Sequence, residues 1–149
     1  MSDRPMVIGV LGLAINSSGQ FLLTQRSQPE DPEVHLKWQI PGGGMEYGEM
    51  PEQTLARELQ EELGVSAHIL FPHPIAKTSL WDLKDHSFHV TLLCYLISID
   101  DQIPTTGDPE TRAWKWYSPE EIATLDVLPL THEFVTEALR VQNKQFAGS

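Results

Sequence analysis

A glycine triplet followed at fixed spacing by a helix bearing three acids on one face constrains this chain more than any other feature. The run Trp38-Gln39-Ile40-Pro41-Gly42-Gly43-Gly44 leads a short apolar strand into glycines, where the backbone can take positive φ and approach a ligand closely. Pro51 suits a first helical position, although Met50 before it is a poor N-cap. At about 100° per residue, Glu58, Glu61 and Glu62 are i, i+3 and i+4 neighbours and share a face. Leu55, Leu59 and Leu63 fall on the adjoining face. The spacing therefore predicts a helix that buries a leucine stripe and displays a carboxylate cluster.

Such a cluster is costly on its own. Two like charges about 4 Å apart repel by about 1 kcal/mol in water and by about 4 kcal/mol at a partly buried site. A divalent cation removes that cost, and all-oxygen ligation without neighbouring Cys or His favours Mg²⁺ first and Mn²⁺ second. Because Mg²⁺ keeps water and substrate phosphate oxygens in its shell, the cluster points to a phosphate-bearing partner. A solvated acidic helix face is the plainer account of the glutamates alone; the preceding glycines and Arg57 weigh against it.

Gly43, five residues, Glu49, seven residues, and then Arg57-Glu58-Leu59-Gln60-Glu61-Glu62-Leu63-Gly64-Val65 together resemble a complete Nudix box, with every specified position matched. The resemblance is strong over residues 38 to 65 and looser elsewhere. It implies an α/β fold, an α/β/α sandwich around a central mixed β-sheet; the length of 149 residues leads to the expectation of a single domain, 1–149. The resemblance also implies Mg²⁺-dependent hydrolysis of a nucleoside diphosphate linked to another group. Carried onto matching positions, Glu58, Glu61 and Glu62 would be metal ligands or the water-activating base, with the Gly43 carbonyl assisting. Arg57 would pair with Glu49 and hold the carboxylates in place. The family often supplies a further carboxylate from a distant segment, for which Glu110 is the candidate and Asp108 the substitute. As general base, Glu58 and Glu110 both stay open.

Composition narrows the remaining classes. A formal net charge of −11 argues against gripping a polymeric nucleic acid, which needs clustered Lys and Arg to displace counterions. A small nucleotide is compatible, since a metal and a few placed cations offset local acid. One cysteine, Cys94, excludes an internal disulfide and a Cys-based zinc cage. Apolar runs are short and Met1 to Pro5 carries no signal-peptide core, so no membrane partner is expected and a cytoplasmic location is the default. Among the histidines, His86 and His89 fall on opposite faces of an expected strand, and His35, His68 and His73 lack ligand-spaced partners, so zinc is not expected.

Elsewhere the pattern predicts strands over Met6 to Ile15 and Gln20 to Arg26 joined as a hairpin by Asn16-Ser17-Ser18-Gly19. A rim loop is expected from Ser27 to Lys37. Further strands are expected over Ala67 to Ile75, Ser87 to Ile97 and Arg112 to Tyr117, with a loop from Asp100 to Thr111. Helices are expected over Pro119 to Leu125 and from His132 to about Gln142, with Thr131 as N-cap and a frayed tail after Asn143. Arg26 and Lys37 are candidate phosphate contacts, while Tyr47, Trp81, Phe88 or Trp116 could stack a base. By resemblance to the nucleotide-sanitising branch, His132 or Thr131 would touch a base edge. That branch makes nucleoside triphosphates, including modified (d)NTPs cleaved to NMP and pyrophosphate, the leading substrates. Nucleoside diphosphate sugars such as ADP-ribose come second, and a non-catalytic nucleotide-binding module is the alternative of another class. A homodimer is common in the family, and the apolar first strand could contribute to one.

Overall fold

The computed structural model describes residues 5–82 and 87–147. Its elements run β1 (Met6–Ala14), β2 (Phe21–Arg26), β3 (Trp38–Gln39), β4 (Gly42–Gly44), α1 (Pro51–Leu63), β5 (His68–Ile69), β6 (Ile75–Asp82), β7 (Ser87–Ser98), β8 (Thr111–Tyr117), α2 (Pro119–Ala123) and α3 (Thr131–Ala147). A mixed sheet holds β4, β1, β7 and β5 in that order, with β6 also paired to β7; a smaller sheet holds β3, β2 and β8. In the larger sheet β1 and β7 run parallel over Met6–Ala14, and the other pairings are antiparallel.

Helices cover both sides. The α1 leucines Leu55, Leu59 and Leu63 pack with Val10, Ala14, Leu22, Tyr95 and Ile97 in one buried cluster. On the other side Phe134, Val135 and Ala138 of α3 pack with Leu13, Phe21, Leu23, Cys94 and Leu96. The arrangement is the expected α/β/α sandwich around a mixed sheet. Alternation along the strands produces it: β7 sends Tyr95 and Ile97 toward α1 and Cys94 and Leu96 toward α3. Cys94 is a buried core residue, its thiol pushed up to about 12 by desolvation.

Several expectations are corrected. The first two strands are not a laddered hairpin. Asn16 does close the turn, its Oδ1 accepting from the Ser18 and Gln20 amides, but only the Ile15–Phe21 bridge forms before the strands part into different sheets. Each finds two other partners there, β4 and β7 for β1, and β3 and β8 for β2. The strand expected over Ala67 to Ile75 is two residues long, His68–Ile69, because Pro72 and Pro74 interrupt extended pairing beyond it; the longer strand begins at Ile75. Thr131 is the first helical residue rather than the N-cap, with Leu130 before it at φ 75° and its carbonyl accepting from the Phe134 amide. The expected frayed tail is helical as far as Ala147. His86 lies outside the described residues, as do 148–149.

Candidate active site

Helix α1 begins at Pro51 without a side-chain cap from Met50; instead the Gln53 side chain takes the Met50 amide at 2.8 Å. It ends at Gly64, whose φ of 64° is the left-handed conformation a C-terminal glycine allows. Between these ends the buried leucines fix the roll of the helix, which turns Glu58 and Glu62 toward the glycine strand β4. The Glu58 carboxylate lies so close to Gly43 that any Cβ there would collide with it. A side chain at 43 would therefore displace the Glu58 carboxylate, whereas the positive φ falls at Gly42 and not at Gly43.

Arg57 is the hub. Its Nε and Nη2 donate to the two oxygens of Glu49 at 2.8 and 3.0 Å, a bidentate pair, and Nη1 donates to Glu58 at 2.8 Å. Nη2 also donates to the Gly44 carbonyl at 3.0 Å, and Glu61 lies 3.5 Å from Nη1. Glu49 further accepts from the Glu46 amide and the Thr54 hydroxyl. The guanidinium, followed by the Glu46 amide, holds Glu49 well down at about 2. The same contacts raise Arg57 above its ordinary value.

Glu62 is the opposite case. It is 7% exposed, and its only hydrogen bond among the described residues is from the Gly42 amide at 3.2 Å. Burial, then the charge of Glu58, push it up to about 8, with Asp108 adding to the shift and Arg26 opposing it. Asp108 reaches this neighbourhood because the 100–110 loop is tied to the end of α1, where the Thr105 amide donates to the Leu63 carbonyl at 2.8 Å.

A cavity of about 430 Å³ opens beside the glycine strand, and the apolar side chains of β1, β6, β7 and the segment before α3 form most of its wall. Trp81 and Phe88 stack there with centroids 5.8 Å apart and planes at 12°. Gln39, Arg26 and the buried Thr131 are its polar side chains.

The sequence-derived candidates fall into two groups. Glu58, Glu61, Glu62, Arg57 and Gly43 come together, and Arg26 reaches the same place from the end of β2. Glu110 meets Arg26, with its Oε2 3.7 Å from Nη2. Tyr47 is fully exposed on the turn before α1, and Lys37 does not line the cavity. His132 sits on the outside of α3 near Lys77 and Glu137, while its neighbour Thr131 lines the cavity. Sequence reading missed the cavity wall of Val7, Gly9, Leu11, Val90 and Leu128, together with Gln39. No local pattern would have found it, because its residues come from segments far apart in the chain.

Among the described residues no three acid, histidine or cysteine groups close into a metal cage. The donor set still fits a hard cation that keeps most of its shell as water and phosphate oxygen. It offers all-oxygen donors and an acid at 62 with little positive charge to balance it. A NUDIX domain family model matches residues 5–138.

The chain belongs to the Nudix family. It is a Nudix hydrolase, of the class that cleaves phosphoanhydride bonds. This Nudix hydrolase is 42% identical over 65 residues to the 8-oxo-dGTP diphosphatase of Haemophilus influenzae, covering 44% of this chain and 46% of that protein, less than half its length. It is 32% identical over 119 residues to an RNA pyrophosphohydrolase of Zymomonas mobilis, covering 67% of this chain and 76% of that protein. The fold matches a MutT NUDIX hydrolase from Burkholderia pseudomallei with a TM-score of 0.73 at 22% identity, over 89% of this chain and 98% of that one. No helix among the described residues is long and apolar enough to cross a membrane.

Proposed function

We propose that this Nudix hydrolase acts on nucleoside triphosphates of the cytoplasmic pool, those with a modified base included, and releases a nucleoside monophosphate and pyrophosphate in a Mg²⁺-dependent reaction. The observation that carries this reading is the junction at Gly42–Gly44, where an apolar cavity with an aromatic wall meets the carboxylates of α1. A nucleobase suits the cavity and a polyphosphate suits the acids and Arg26 once a cation is bound. The relative named 8-oxo-dGTP diphosphatase supports the same class.

Glu58, Glu61 and Glu62, assisted by the Gly43 carbonyl, would hold the ion. When bound, Mg²⁺, or Mn²⁺ in its place, neutralises phosphoryl charge and makes water a better nucleophile. Arg57 keeps Glu58 and Glu61 in register through its anchorage on Glu49 and Gly44. Arg26 offers a guanidinium to the phosphates from the cavity side. Water attacks phosphorus in line, a carboxylate of the set takes its proton, and the phosphoanhydride bond breaks to leave monophosphate and pyrophosphate; no covalent enzyme intermediate is involved. Thr131 and Gln39 meet the base edge, and Trp81 with Phe88 walls off its face.

The test is a nucleotide panel with Mg²⁺ titration, following pyrophosphate and phosphate release. The panel includes normal and oxidised (d)NTPs, ADP-ribose and a 5′-triphosphorylated RNA, the last because a relative carries that activity in its name. The highest kcat/KM is expected for a triphosphate. Saturable binding without turnover on any member would replace the enzyme with a binding module, and a preference for ADP-ribose or RNA would move the substrate class.

A further inference from the structure

We propose that Gln102 and Thr105 are positioning residues: they latch the loop after β7 along the last turn of α1 and so set where the loop acids, Asp108 and Glu110, stand relative to the metal corner. The inference rests on the reading that a divalent cation is held among Glu58, Glu61 and Glu62.

The loop lies along the helix end in the opposite direction. Gln102 bonds to Ser66, and the Thr105 amide bonds to the Leu63 carbonyl. Further on, a Cβ at Gly107 would stand 3.7 Å from the Glu61 carbonyl oxygen, and the charge of Asp108 reaches Glu62. As loop numbers rise, helix numbers fall, so the two segments are aligned over their length.

The first contact uses a side chain as if it were backbone. Gln102 Oε1 accepts from the Ser66 amide at 2.9 Å, and Nε2 donates to the Ser66 and Ile99 carbonyls, both at 2.7 Å. Both Nε2 protons are thereby used. The second contact comes from the Thr105 amide, which donates to the Leu63 carbonyl at 2.8 Å in the last turn of α1, where helical partners run out. That turn holds Glu61 and Glu62 and no base, although a cation is what the dipole favours at this end. A neutral N–H from the loop serves the carbonyl without neutralising the acids. Gly64 keeps the approach open, since a Cβ there would lie 2.9 Å from Thr105 Oγ1, and buried Pro104 stiffens the span between the two contacts. Only Thr106 and Gly107 then separate Thr105 from Asp108, whose Oδ1 accepts from the Glu110 amide at 3.0 Å and ties the second acid to the first.

The latch predicts weaker cation binding in a protein that still folds. Gln102 is exposed, so Gln102→Ala should leave Tm nearly unchanged by scanning fluorimetry. Its Mn²⁺ affinity, measured without nucleotide by electron paramagnetic resonance, should fall about tenfold, the low end for groups that act on a metal through its ligands. With the preferred nucleotide, the Mg²⁺ concentration for half-activation should rise by the same factor, while kcat at saturating Mg²⁺ stays within about threefold. One glycine inserted between Thr106 and Gly107 leaves both contacts in place but lengthens the span to the acids, and should weaken Mn²⁺ binding as Gln102→Ala does. In an Asp108→Asn/Glu110→Gln background, Gln102→Ala should cause no further loss. Unchanged Mn²⁺ affinity in either the Gln102 or the insertion variant overturns the latch; so does an equal loss in the doubly substituted background, which would make Gln102 a support of α1 itself. Absence of Mn²⁺ binding by the wild type would remove the metal corner and the latch together, whereas normal wild-type binding with unaffected variants removes the latch alone.

Discussion

The corner around Arg57 and the cavity beside the glycine strand are built in opposite ways. The corner is charged and held together by hydrogen bonds: one guanidinium joins Glu49, Glu58 and the Gly44 carbonyl, while Glu62 waits almost unbalanced behind it. The cavity is mostly apolar, with Gln39, Thr131 and Arg26 as its polar side chains. On the proposed function the corner would meet the polyphosphate and the cavity the base. On that reading, rate and selectivity belong to different parts of one groove, and each should change without the other.

The largest effect should come from the corner. Glu61→Gln or Glu62→Gln is expected to lower kcat about 10²- to 10³-fold on every nucleotide alike; steady-state kinetics on two substrates measures it. Retained turnover in both variants would mean that the ion is held elsewhere. Arg57→Ala should come next at about 10²-fold, and Arg57→Lys should not recover it, because an ammonium cannot reproduce the bidentate pair with Glu49. A wild-type rate in Arg57→Lys would show that charge suffices there.

Cavity changes should be smaller and uneven. Trp81→Ala is expected to raise KM about tenfold, given the usual strength of base–aromatic stacking, and to alter the ranking of bases while kcat on the poorest changes little. A uniform change across all bases would erase the division of labour between corner and cavity.

The smallest effects are on stability, and they differ in sign within the corner. Glu62 has a folded value raised to about 8, so between the ordinary 4.5 and that value the folded state binds the extra proton; metal-free protein should lose stability as pH rises through this window. Scanning fluorimetry in chelator should show Tm falling by several degrees from about pH 5 to about pH 8, and Glu62→Gln should flatten the slope. Glu49 runs the other way: with a folded value of about 2, its contribution is complete above 4.5 and is lost as pH falls toward 2. An acid limb unchanged in Glu49→Gln would remove that assignment.

The helix of the box was legible because its information is local. The leucine stripe and the three glutamates lie within the thirteen residues of α1, and period alone separates their faces. The Nudix resemblance then supplied the sandwich. Strand pairing was less legible. A tight Asn-Ser-Ser-Gly turn normally promises a hairpin, but β1 reaches a better partner in β7, nine residues in register and more than seventy positions away. The strand Ile75–Asp82 was missed because its apolar alternation is weak and prolines precede it. Helix α3 outran its expected end because residues 143–147 carry no helix breaker before Gly148.

By itself the sequence determined which residues would be acidic neighbours, which would be buried beneath them, and that glycine would stand before them, since each comes from spacing along a few turns. Only the tertiary structure decided how those acids differ from one another. It put Arg57 against Glu49, left Glu62 desolvated behind Gly42, drew Glu110 to Arg26, and assembled a cavity from strands and a helix distant in the chain. Solvation and charge pairing depend on what surrounds a side chain in space, and no period along the chain records that.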